Sequence, residues 1–130
     1  PNREALQKKG DRVNKDPGQR WLCKQLKKMM PGRGDIVVDG LRHPEDHAFM
    51  VETFGPAFFH LHINTPETIC KQRYIANGCT EREFSMAINH PVEVNVSKLS
   101  LLAHEVIRND NDIRSFEQKI LKSLQEVAKN

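Results

Sequence analysis

Apolar side chains recur along this chain with two periods, and their alternation sets the expected architecture. Over residues 2 to 30, Trp21, Leu22, Leu26, Met29 and Met30 return at helical spacing. That spacing predicts one helix, or two with a break at Asp16-Pro17-Gly18, carrying a buried stripe. Lys24, Lys27 and Lys28 interleave the stripe as its solvated flank, and Pro31-Gly32-Arg33-Gly34 ends it. Ile36, Val37 and Val38 then form a short β-branched run bounded by glycine, the pattern of a strand covered on both faces.

Pro44 suits the first turn of a following helix, where its missing N–H leaves nothing unsatisfied, and Phe49, Met50 and Phe54 give that helix an apolar side. Gly55-Pro56 closes it. Phe58 to Ile63 reads as a second strand, after which Asn64-Thr65-Pro66-Glu67 offers a cap and an N1 proline for a helix running through Ile75. Asn77-Gly78 stops that helix, and Thr80 with Glu83 makes a capping box for a short one ended by His90-Pro91. A short helix after Pro91, a brief strand at Val106-Ile107, and a turn and cap over Asn109 to Asp112 complete the pattern. The last helix repeats Ile113, Phe116, Ile120, Leu121, Leu124 and Val127 at period 3.6. Strands alternating with helices predict a short parallel sheet, a three-layer α/β sandwich, and ligands held at the carboxyl ends of the strands.

Composition narrows the function classes. A length of 130 residues fits one domain with a real core, and 38% apolar with 28% charged residues is the composition of a water-soluble globule. No apolar run approaches the roughly 20 residues of a membrane span, and no secretory leader is present, so a cytoplasmic protein without a membrane partner is expected. A formal charge of +3 is too mild for a duplex nucleic-acid binder, yet it suits phosphorylated small molecules. Cys23, Cys70 and Cys79 include no CxxC pair and read as reduced thiols, Cys23 and Cys70 packing within helical stripes. The start at Pro1 suggests a segment of a longer polypeptide.

The chemistry concentrates where apolar runs end. Asp39, directly after the first β-branched run, can hold Mg²⁺ through oxygen, and Arg42 can clamp a phosphate with its planar fork. Equally, Asp39 can cap a turn while Arg42 pairs with Glu45 or Asp46. Lys71, Arg73 and Arg82 are cations able to close over a phosphoryl group, or simply to be solvated. His60 and His62 share a strand face, and His43 and His47 a helix face. An HxH or HxxxH pair without a third ligand does not make a metal site.

The run TPETICKQRYIANGCTEREFSMAINHPVE, with LLAHEVIRND and the final amphipathic helix, resembles the C-terminal half of dephospho-coenzyme A kinases. REALQKKGDRV and VVDGLRHPED are similar to stretches of phage deoxynucleoside monophosphate kinases and phosphomevalonate kinase, which share the same P-loop kinase core. The resemblance implies phosphoryl transfer from ATP with Mg²⁺. Arg3, Arg12 and Arg42 would then bind the phosphorylated acceptor, Asp39 would serve catalysis and the metal, Arg73 would sit at the lid base, and Asn109 near the nucleotide base. Where that family's lid helix presents an arginine this chain has Ala87, so Arg82 would have to act from a different turn.

No GxxxxGK[ST] occurs in the 130 residues, so no nest of backbone N–H groups holds a β-phosphate. In the kinase core the strand feeding that loop lies between those formed by DIVVDG and FFHLHI. The expectation is therefore a kinase-like domain inactive by itself, completed by an upstream segment, or a degenerate relative that re-pairs its strands or dimerises. A non-catalytic nucleotide-binding or regulatory module, and a helix-rich interaction domain without a ligand, are the competing classes.

Overall fold

Helix α1 spans Arg3–Asn14 and α2 spans Trp21–Met29 in a computed structural model that describes residues 3–14 and 19–129. The expected break at Asp16-Pro17-Gly18 lies outside the described residues. Only part of the anticipated stripe on α2 is covered. Cys23 is buried, and Leu26 and Met30 pack beside it, whereas Trp21, Leu22 and Met29 are exposed. The helix is thus rotated so that the positions spaced 23, 26 and 30 face inward, one residue off the stripe that the larger side chains suggested.

Ile36 to Val38 do not form a strand. Residues 35–40 take no regular secondary structure and join no strand among the described residues, and Val37 is 94% exposed. Val38 alone turns inward, against the cluster of Cys23, Phe49 and Met50. The physical reason is the absence of a neighbour. A β-branched run becomes a strand only when another backbone takes up its N–H and C=O groups, and among the described residues none does. Gly40, at φ +91°, then turns the chain in a conformation that side-chain-bearing residues rarely adopt.

Helix α3, Pro44–Phe54, begins at the expected proline, and a 3₁₀ turn, Gly55–Ala57, leads into β1, Leu61–Asn64. Three helices follow: α4, Glu67–Ala76; α5, Glu81–Ile88; and α6, Pro91–Leu102. The last runs 12 residues, longer than the short helix expected. Strand β2, Glu105–Arg108, pairs parallel to β1 with Leu61 opposite Glu105 and Ile63 opposite Ile107, and α7, Ile113–Ala128, closes the chain. The result is a mixed α/β fold with a two-stranded parallel sheet.

Caps explain most of these boundaries. The Thr80 hydroxyl accepts from the Glu83 N–H at 3.1 Å, and the Asp112 carboxylate accepts from the Ser115 N–H at 2.8 Å. The His90 ring nitrogen accepts from the Val92 N–H at 3.2 Å, with Pro91 at the first helical position. Asn64 does not cap α4 as anticipated. It belongs to β1, where its carbonyl accepts from the Asn109 N–H at 2.8 Å, and Pro66 precedes α4 without a side-chain cap.

The core sits where α2, α3 and the extended run meet, with Phe54 and Phe58 completing it toward the sheet. Met50, 1% exposed, lies at its centre. Met50→Ala is expected to lower unfolding stability by about 3 kcal/mol through lost burial and an uncollapsed cavity. Urea denaturation checks this, and an exposed control such as Met86→Ala should shift far less.

Candidate functional site

The extended run delivers Asp39 and Arg42 to one wall of a cleft of about 760 Å³. Leu6 and Gly10 of α1, Leu22 and Leu26 of α2, and Val92 of α6 line the remainder. Most of the lining is aliphatic, so charged groups enter from the side of residues 39–46.

Asp46 fixes the geometry of that side. Its carboxylate is buried, and one oxygen accepts from the backbone N–H groups of Arg42 and His43 at 2.9 and 3.0 Å. The Cys23 thiol donates to the other oxygen at 3.4 Å. Three donors satisfy the buried carboxylate without a cation. Burial, and next the negative charge of Asp46, push the Cys23 thiol up to about 12, so it is a protonated hydrogen-bond donor and not a nucleophile.

The pairing anticipated for Arg42 is redistributed. Asp46 takes the Arg42 backbone N–H, while the guanidinium lies 3.7 Å from Glu93 on α6, with its side chain 48% exposed. A pair so exposed contributes roughly 0 to 1 kcal/mol, and the fork can exchange to another anion. Asp39 is exposed and forms no hydrogen bond or ion pair with the described residues.

The other anticipated residues lie elsewhere. Arg12 is exposed in the last turn of α1, while the side chain of Arg3 lies outside the described part of the molecule. Arg73 and Asn109 meet past the carboxyl ends of β1 and β2. The two guanidinium ends of Arg73 donate to the carbonyls of Asn109 at 3.2 Å and Asn111 at 3.1 Å. Arg73 therefore pins the loop between β2 and α7. Arg108 pairs with Asp110 in the same loop, and Lys119 of α7 donates to the Arg108 carbonyl at 2.8 Å. Arg82 is exposed on α5, beside the 3.4 Å contact of Lys71 with Glu81 that links α4 to α5. None of Arg73, Arg82 and Asn109 lines the cleft.

Among the described residues no group of three or more His, Cys, Asp or Glu is placed to hold a metal ion. Asp39 can hold Mg²⁺ only alongside phosphate oxygens and water, which is how that ion is commonly bound. No helix among the described residues is long and apolar enough to cross a membrane.

Comparison with protein-family models, with curated proteins and with solved structures gives no match. The site therefore rests on its own geometry. Sequence reasoning overlooked Asp46 as its anchor, although an acid at the third position of a helix opened by proline is a legible N-terminal signal. Asp46→Ala leaves two backbone donors and a thiol without an acceptor, and about 2 kcal/mol of stability should be lost in urea unfolding. An unchanged midpoint would show that the carboxylate anchors nothing.

Proposed function

We propose that this chain is a phosphotransferase-like domain of the nucleotide or dephospho-coenzyme A kinase type, whose cleft receives a phosphorylated small molecule. The supporting observation is the convergence of Asp39 and the exchangeable Arg42 fork on one wall of the cleft, just past an extended apolar run and before a proline-started helix. In this reading Arg42 binds the acceptor phosphate, and Asp39 faces Mg²⁺ held jointly with nucleotide phosphates. ATP supplies the transferred phosphoryl group, so the work of the chain is positioning and charge neutralisation. Arg73 acts by holding the loop that carries Asn109, and Arg82 reaches the phosphates only by movement of α5.

The 130 residues carry no GxxxxGK[ST]. Turnover therefore needs a P-loop from a segment outside them or from another chain. The unpaired groups of residues 35–40, and a β1 that has β2 on one side and no described strand on the other, leave room for the strand that would bring it. The missing loop equally favours a second reading, a non-catalytic module that binds nucleotides to regulate a partner.

Binding decides whether the cleft is a phosphate site. Thermal shift against deoxynucleoside monophosphates and dephospho-coenzyme A, with and without Mg²⁺, should raise the midpoint as ligand passes its dissociation constant. Arg42→Ala should weaken that binding about ten-fold, equivalent to about 1.4 kcal/mol, without lowering the ligand-free midpoint. Equal affinity in the variant removes Arg42 from the site. No shift with any of these ligands removes the kinase-like reading altogether.

A further inference from the structure

Four of the six histidines gather where α3 meets the amino ends of the two strands. His47 of α3 and His60, just before β1, face each other through their Nδ1 atoms at 2.8 Å. The His60 backbone N–H donates to Nδ1 of His104, just before β2, at 2.8 Å. His62 lies next along the same strand face, its ring centroid 6.4 Å from that of His60. Phe58 and Phe59 pack against His104 at 5.7 and 5.5 Å between centroids.

We propose that this cluster is an acid-sensitive clasp, joining α3 to the sheet and opening as the buried pair of His47 and His60 takes up protons. The atoms dictate this. A contact between two Nδ1 atoms needs one N–H and one lone pair, so it survives a single proton shared by the pair and is lost once both rings are cations. His104 Nδ1 must likewise keep its lone pair to accept from the His60 N–H. Two backbone contacts depend on that spot, since the His60 carbonyl also accepts from the N–H groups of His104 and Glu105 at 2.9 and 3.3 Å.

Among the described residues no carboxylate acts on His60 to offset a positive charge there. The neighbours facing His60 are His47 from α3, His62 from β1 and His104 from the approach to β2. Glu105 stands opposite Leu61, on the other sheet face from His62. On α6, which also packs on β1, Glu93 is turned to Arg42 and Lys98 is exposed. Burial, followed by the neighbouring imidazoles, lowers His60 to about 4, and burial lowers His47 and His62.

A folded value below the unfolded one means that the stability is present above the unfolded pKa and is lost as pH falls toward the folded pKa. For His60 that window runs from about 6.5 down to about 4. Opening would free α3, whose first turn carries the cleft wall, so acid would loosen the cleft as well.

Urea unfolding of the whole chain at pH 7.5 and 5.5 tests the clasp. The unfolding equilibrium constant of the native protein should rise at least about ten-fold across that interval, and by a clearly smaller factor for His60→Gln, in which His47 and His62 still titrate. Equal rises in the two proteins, or no rise in the native one, overturn the proposal. Should His60→Gln fail to fold, NMR titration of the native His60 ring decides. A ring still neutral at pH 5.5 supports the clasp, and one titrating near 6.5 overturns it.

Discussion

A buried carboxylate ties together the elements around the candidate cleft. Asp46 accepts from the two backbone N–H groups just before α3 and from a thiol on α2, so α2, α3 and the segment entering α3 are joined at one pair of oxygens. Burying that charge is tolerable because two backbone N–H groups and a thiol are turned to it. The arrangement also leaves the Arg42 guanidinium with only its exposed contact to Glu93, because Asp46 spends its lone pairs on the main chain and the Cys23 thiol. A charged side chain is thus presented to the cleft by a structure that does not need it for folding.

The end of β2 and the cleft use their charged residues differently. At β2 the cations are consumed by backbone carbonyls and by acids in the same loop, and Arg73 there is as much a strut as a charge. At the cleft, Asp39 has no partner among the described residues and Arg42 has only its exposed contact with Glu93. Residue types that looked equivalent along the chain therefore separate into pinned and loosely held sets only once their partners are known.

Helices were more legible than strands. Proline positions, the Thr80 and Asp112 caps and the period of α7 announce their elements locally, because a helix satisfies its own hydrogen bonds. A strand cannot. Ile36 to Val38 have the composition of a covered strand, yet the composition says nothing of whether a second backbone stands beside them. The stripe on α2 misled for a related reason. Trp21 and Met29 are large and apolar, but which side of an amphipathic helix is buried depends on what packs against it, and there the smaller Cys23 faces inward. Of the site, Asp39 and Arg42 could be read from their place after an apolar run. Asp46 was legible as a helix-start acid, but its reach to Cys23, 23 residues away, was not, because that contact depends on how α2 packs on α3. His60 and His62 suggested a pair along one strand, whereas the closest partners of His60 come from α3 and from the approach to β2.

The exposed run at Ile36 to Val38 has a consequence for the protein in concentrated solution. An extended apolar segment with open backbone groups is a template for another copy of itself, since two such edges complete each other's hydrogen bonding. Asp35 and Asp39 flank the run symmetrically about Val37. An antiparallel pair centred on Val37 would set each Asp35 against the other copy's Asp39, and these like charges oppose the contact at close range. The two acids act as gatekeepers against self-association, and added salt, by screening them, would weaken that protection.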